Sequence, residues 1–250
     1  MAIGNRLVGN PVGAAVLEAL VGSLTVVASQ SCVVAVSGAT VEVTVNGRAV
    51  GQNLAIALGV RDVFDIAMPT DGLRAYLAVR GGVGGPLVLG SRSYDTLGQI
   101  GPPPLRVRDV IVSAQMESVG PPWFEPVPVP TRASPVRLDA DVGPRHEWLT
   151  DSARRALVTA TWIVASEIDR TGVRLAGPTL DRPGHLVGLE LASEAMIPGA
   201  IQVPAGGQPI VLGPDCGTTG GYPVVAVITR SSLSAAAQLR PGEPVWIRLR

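Results

Sequence analysis

The residues best suited to chemistry fall in one stretch, Pro198 to Pro223, which reads PGAIQVPAGGQPIVLGPDCGTTGGYP. Its polar members, Gln202, Gln208, Asp215, Thr218, Thr219 and Tyr222, combine one carboxylate with amide and hydroxyl groups. Interleaved glycines permit positive φ and close backbone approach, whereas the prolines fix φ and remove donors. A segment so punctuated cannot be helical. Ala200 to Val203 and Ile210 to Leu212 are predicted as short strands joined by tight turns. The glycine run also leaves N–H groups free to face an anion or a developing oxyanion. The same residues suit a plain β-meander whose polar groups satisfy their own turns.

What must hold this stretch is a β-rich body. At 250 residues the chain can build one large core or two small ones. Glycine (30) and proline (22) make up a fifth of it, yet 46% of residues are hydrophobic, which excludes disorder and favours many short strands. Charged residues are only 16%, the formal net charge is zero, and no basic block appears, so nucleic acid is not an expected partner. All 20 basic residues are arginine. Schiff-base, Walker-type and general-base lysines are therefore excluded, and anion contacts fall to arginine or backbone N–H. Cys32 and Cys216 have no metal-ligand spacing, and only His146 and His185 could join them. No metal site is expected, and a reduced, cytoplasmic chain follows.

Along the chain, residues 11–36 are apolar enough to suggest a leader or a membrane span. Glu18, Gly22 and the Ser29–Ser31 cluster divide the run, so neither is expected. Ala14 to Val21 is predicted as a short helix, and Leu24 to Val36 as strands broken at Ser29–Ser31. Asn46-Gly47 marks a two-residue hairpin. Tyr76 to Val79 and Pro86 to Leu89 are predicted strands flanking a Gly81–Gly85 turn. PLVLG at 86–90 is echoed by PIVLG at 209–213, as two similar halves would produce. Pro121 to Pro135 is predicted as a linker, with Trp123 and Phe124 needing cover. A helix is predicted over Glu147 to Ala160, capped by Thr150 or Asp151 and striped by Ala153, Ala156, Leu157 and Ala160. Leu186 to Leu191 is predicted as a strand. Cys216 reads as a small filler, since no histidine is near it in sequence.

PGAIQVP, GQPIVL and TTGGYP, in that order, resemble the C-terminal signature of the biotin-dependent carboxyltransferase family, which takes in allophanate hydrolase subunit 2 and the matching 5-oxoprolinase subunit. AQLRPGEPV (Ala237 to Val245), DRTGVRLAGPTL (Asp169 to Leu180), the Asp71 to Gly101 stretch and NRLVGNP (Asn5 to Pro11) are similar to further family segments. The match departs in three places. The family's QDxGRxGYxxxGxPxSGAMD segment does not precede Asn5, Ala195 replaces the glycine after Ser-Glu, and Cys216 stands where DRQTTGGYP has arginine.

The resemblance implies a mainly β protein of two cyclophilin-like β-barrel halves with a few short helices. The halves would be residues 1–120 and 136–250, joined by a linker over 121–135. It implies one subunit of a heteromeric, ATP-dependent 5-oxoprolinase, which opens the lactam of 5-oxoproline to glutamate. The alternative within the family is a carboxyltransferase moving CO2 from carboxybiotin to a urea or amide nitrogen; outside catalysis, it is a regulatory binding protein antagonising a kinase inhibitor. Expected partners are subunit 1 of the same system and a third oxoprolinase component, with no membrane. ATP is expected only together with those partners, and carboxybiotin only on another chain, since no AMKM-type motif is present.

Polarising a carbonyl needs fixed donors, and moving a proton needs a carboxylate. Asp215, Glu194 and Tyr222 are accordingly the catalytic candidates. Arg170, Gln202, Gln208, Thr218, Thr219, Gly220 and Gly221 are the substrate-binding candidates. Ser91, Arg92 and Ser93, which follow a predicted strand end, are added to them.

Overall fold

The computed structural model describes residues 1–20, 22–96, 98–117, 120–128 and 131–250. The chain divides into two units, Met1–Pro130 and Thr131–Arg250.

The first unit contains helix α1 (Ala2–Leu7) and strands β1 (Leu17–Leu20), β2 (Leu24–Val27), β3 (Cys32–Thr40), β4 (Val43–Val45), β5 (Arg48–Ala49), β6 (Ile56–Leu58), β7 (Val63–Ile66) and β8 (Asp71–Val79). They form two four-stranded sheets, ordered β1-β8-β3-β6 and β2-β7-β4-β5. Val36, Phe64, Ile66 and Leu77 share one buried core. The predicted hairpin forms at Asn46-Gly47, where both residues take positive φ (51° and 77°), as a turn matched to strand twist requires.

Two expectations fail here. In place of the helix predicted over Ala14–Val21, Leu17–Leu20 is a strand, and Val21 lies outside the described residues. Its alternating burial lets it pair antiparallel with β8, and Arg74 of that strand reaches Glu18 at 3.5 Å. Non-local pairing overrides local helix preference. The apolar run 11–36 thus enters sheets, and among the described residues no helix is long and apolar enough to cross a membrane. Pro86–Leu89 is not a strand either. Only a single bridge joins Val88 to Ser91, because the chain reverses at once through Leu89 (φ 51°) and Gly90 (φ 78°). Of the proline-rich segment predicted as a linker, residues 121–128 pack on the first unit, whereas 131–135 belong to the second. Trp123 N–H donates to Leu7 O (2.7 Å), its carbonyl accepts from Ala55 (2.7 Å), and Val127 N–H donates to Asn53 O (2.9 Å).

The second unit contains β9 (Val136–Val142), α2 (Asp151–Thr159), β10 (Trp162–Ile168), β11 (Gly172–Ala176), β12 (Glu194–Ala195), β13 (Ala200–Gln202), β14 (Ile210–Leu212), β15 (Thr219–Gly220), β16 (Val224–Ile228), α3 (Arg230–Ala236) and β17 (Pro244–Leu249). Seven strands close a barrel in the order β10-β11-β14-β13-β16-β9-β17, and β12 and β15 form a separate two-stranded ribbon. The seam between β17 and β9 is parallel. Leu138, Leu157, Trp162, Ile201 and Ile247 fill its interior. Trp162 is fully buried, and its Nε1 donates to Leu157 O at 3.1 Å, so its polar atom is satisfied inside the core.

The predicted helix is α2. Thr150 caps it by accepting from Ala153 N–H (3.2 Å), and Ala153 and Leu157 are its buried residues. Leu186–Leu191 is not a strand. A single 3-10 turn spans Gly184–Leu186, and Gly188 follows with φ 76°, which breaks an extended run. The fold is mainly β with few helices, and its closed barrel is the second unit.

Candidate functional site

The glycine-rich stretch begins inside the barrel wall, as β13 and β14, and ends on the ribbon outside it. Gln202, buried at the end of β13, donates from Nε2 to Tyr222 O (3.1 Å) and lies 3.1 Å from the Met196 sulfur. Val203 N–H donates to Pro223 O (3.1 Å). These bonds tie the loop leaving the ribbon to the barrel rim. Gly220 sits over Gln202, where a Cβ would lie 3.1 Å from Nε2, so a small residue is needed at this crossing.

The ribbon pairs Glu194 with Gly220 and Ala195 with Thr219, and Met196 N–H donates to Thr218 O (2.9 Å). This register brings Glu194 beside the TTGG turn, as the sequence reading places it. Thr218, Thr219, Gly221 and Tyr222 are exposed. Among the described residues, the N–H groups of Gly217 and Thr218 meet no acceptor.

Each candidate carboxylate already has an arginine. Arg170 Nη2 donates to Asp215 Oδ1 (3.0 Å) and its Nε lies 2.8 Å from Oδ2. The two loops are also joined through backbone, Asp215 N–H to Arg170 O (3.0 Å) and Gly213 N–H to Thr171 O (2.8 Å). A Cβ on Gly213 would stand 2.2 Å from Arg170 O, so only glycine allows this approach. Asp169, next to Arg170, instead accepts from the N–H groups of Thr171 (2.7 Å) and Gly172 (3.0 Å) and shapes the turn that presents it.

Arg145 grips Glu194 through Nη2 and through Nε, the latter at 3.2 Å from Oε2. Hydrogen bonding from this guanidinium, ahead of burial, holds the Glu194 carboxyl below its usual 4.5 and raises the Arg145 pKa. Arg145 N–H donates to Val224 O (2.9 Å), which fixes it at the same rim. A third arginine, Arg182, lies 5.3 Å from the Trp148 ring centroid and donates to Val203 O and Leu189 O, both at 3.3 Å. Among the described residues it has no carboxylate within ion-pair distance.

Gln202, Glu194, Gly220 and Tyr222 are thus linked through named bonds near the barrel end where β14 begins. Arg170 and Asp215 meet at the opposite end, where β14 stops at Leu212, and the stretch carrying Thr218, Thr219 and Gly221 runs from one to the other. Gln208 is turned to another loop, where it brackets Gly177 by accepting from its N–H (2.9 Å) and donating to its carbonyl (3.2 Å). Ser91, Arg92 and Ser93 lie in the first unit and bond locally, Arg92 Nε to Gly85 O (3.1 Å) and Ser93 N–H to Ser91 Oγ (3.0 Å). Cys216 packs with Met196, Leu212 and Val224, and burial pushes its thiol above the usual 9.0, which disfavours a thiolate.

Sequence reasoning misses Arg145 and Arg182. Arg145 precedes a helix and Arg182 sits in a turn, far along the chain from the carboxylate, carbonyls and ring they meet. The usable signal is compositional: with no lysine in the chain, every carboxylate near a turn has only arginine for a strong cationic partner.

Known proteins share this architecture. A family model for the carboxyltransferase domain, subdomains A and B, matches residues 1–249. The chain is 34% identical over 248 residues to a 5-oxoprolinase subunit of Escherichia coli, covering 97% of this chain and 77% of that protein. The urea amidolyase of Saccharomyces cerevisiae is 26% identical over 261 residues, which are 14% of its length. Among solved structures, urea amidolyase of K. lactis superposes with a TM-score of 0.89 at 28% identity, covering 98% of this chain and 16% of that one. TTHA0988 gives a TM-score of 0.86 at 32% identity, covering 98% of this chain and 47% of that one. The chain belongs to the carboxyltransferase domain family, subdomains A and B.

Proposed function

We propose that this chain is a subunit of a heteromeric, ATP-dependent 5-oxoprolinase that opens the lactam of 5-oxoproline to glutamate, acting only with its partner subunits. The observation that carries the reading is the ribbon outside the barrel. There, free N–H groups of Gly217 and Thr218 lie in a turn whose neighbours are two arginine–carboxylate pairs. Free amides can take charge developing on a lactam oxygen, and a carboxylate can move a proton. The 34% identity to a 5-oxoprolinase subunit supports the substrate class.

Arg182, which has no carboxylate within ion-pair distance among the described residues, suits one carboxylate, such as that of 5-oxoproline.

The second reading is carboxyl transfer from carboxybiotin to a urea or amide nitrogen, favoured by the superposition on urea amidolyase. Biotin attaches to lysine and these 250 residues have none, so the carrier lies outside them. The experiment is reconstitution. The chain is purified with its partner and the third component, and 5-oxoproline-dependent ATP hydrolysis is measured. Turnover only in the full mixture supports the oxoprolinase; urea-dependent carboxylation from carboxybiotin instead supports the second reading. Stable pairing without turnover on any amide overturns both and leaves a binding protein.

A further inference from the structure

A different arginine cluster lies near the other end of β9. Along this strand Val136, Leu138 and Ala140 point into the barrel, which leaves Arg137 and Asp139 on the outer face. In β17 the buried residues are Val245 and Ile247, which leaves Trp246 and Arg248 outside. The parallel register sets Arg137 beside Trp246 and Asp139 beside Arg248. Asp139 Oδ1 then holds two guanidiniums by their inner nitrogens, Nε of Arg137 at 3.2 Å and Nε of Arg248 at 2.8 Å. Among the described residues, the terminal Nη groups of both make no hydrogen bond, and both side chains are more than half exposed (56% and 54%).

Helix α2 supplies the facing wall. Arg154 Nε donates to Leu149 O (3.0 Å), and its Nη1 lies 3.4 Å from Asp151 in a pair that solvent weakens. Trp246 is 47% exposed, and its Nε1 donates to Thr161 Oγ1 (2.9 Å), which fixes the ring. Val158 and Thr159 complete a groove of about 490 Å³. Three guanidiniums face two carboxylates here, so the groove is cationic. From Arg137 to the end of β9 is five residue steps, about 17 Å of strand at ~3.3 Å per residue, and Arg145 lies beyond that end.

We propose that this groove binds a nucleoside phosphate, with phosphate oxygens on the terminal nitrogens of Arg137 and Arg248, Arg154 alongside, and the base against Trp246. Guanidinium forks match phosphate oxygens two at a time, and anchoring through Nε orients them in advance. The volume is in the range of organic-ligand sites rather than of a bare anion, and a fixed indole offers a flat face for a heteroaromatic ring. The inference is independent of the reading of the glycine-rich rim, and its test needs no turnover.

The full chain is titrated with ATP, ADP and inorganic phosphate separately, by calorimetry and by tryptophan fluorescence. Saturable binding of ATP and ADP is expected, with phosphate at least about tenfold weaker for want of stacking. Arg137→Gln/Arg248→Gln is expected to weaken ATP binding by at least about tenfold. Trp246→Leu is expected to weaken ATP but not phosphate; thermal melts establish that both variants fold. Absence of saturable ATP and ADP binding at millimolar concentration overturns the proposal. So does an unchanged Kd in the double arginine variant, or phosphate binding as tightly as ATP, which would mark a bare-anion site.

Discussion

Arg170 and Asp215 meet through two contacts, Nη2 to Oδ1 at 3.0 Å and Nε to Oδ2 at 2.8 Å, between loops 45 residues apart in sequence. The Asp215 carboxylate is occupied by the Arg170 guanidinium through both of its oxygens. Asp215 therefore fixes the orientation of Arg170.

Replacing Asp215 by Asn tests this. Because both side chains are about one-third exposed, the loss in folding stability is expected to stay near or below ~1 kcal/mol. Turnover of the reconstituted complex is expected to fall by about 100-fold or more if Arg170 must be oriented for the reaction. Urea denaturation of the chain and kcat of the complex separate the two effects. Wild-type kcat in this variant removes Asp215 from the reaction.

Glu194 gives a pH signature. Its folded pKa is depressed by Arg145, so the pair contributes stability that is fully present above the ordinary 4.5 and is lost as pH falls through the lower folded value. Wild type is expected to be more stable than Glu194→Gln at neutral pH, with the difference shrinking only in the acidic window below 4.5. Melting temperatures of both proteins across that window check the sign. A difference that grows on acidification contradicts it.

Gly213→Ala probes the Arg170–Asp215 loop pair from the backbone. A methyl group 2.2 Å from Arg170 O cannot be accommodated without parting the two loops. A cost of about 1–3 kcal/mol is expected, as for other overpacked sites. Loss of turnover is expected to accompany it, and denaturant midpoints together with kcat read both.

Thr150→Ala removes the side-chain acceptor for Ala153 N–H at the start of α2. About 1 kcal/mol of stability is expected to go with it. Since α2 supplies Arg154 to the outer groove, this variant also shows whether ATP affinity depends on how well that helix is seated.

Much of this architecture is written locally. Asn46-Gly47 carries its own turn, Thr150 its own cap, and the runs around Ile201 and Val211 their own strands, so sequence reading finds all of them. Leu17–Leu20 reads as helix in isolation because its partner, β8, lies more than fifty residues on, and only that pairing makes alternate burial favourable. The site divides the same way. The donors of the TTGG turn are neighbours in sequence and legible there, whereas Arg145 reaches Glu194 across 49 residues. A fold brings such partners together; composition narrows them to arginine but cannot say which arginine.

The parallel seam between β9 and β17 joins the first strand of the barrel to its last. On the ribosome, the ring stays open until residues 244–249 have emerged. Up to then the inward faces of β9 and β10 lack the strand between them, and the nascent unit exposes an apolar cleft. Interrupting synthesis just ahead of Pro244 would therefore release a species that chaperones retain, rather than a slightly shortened barrel.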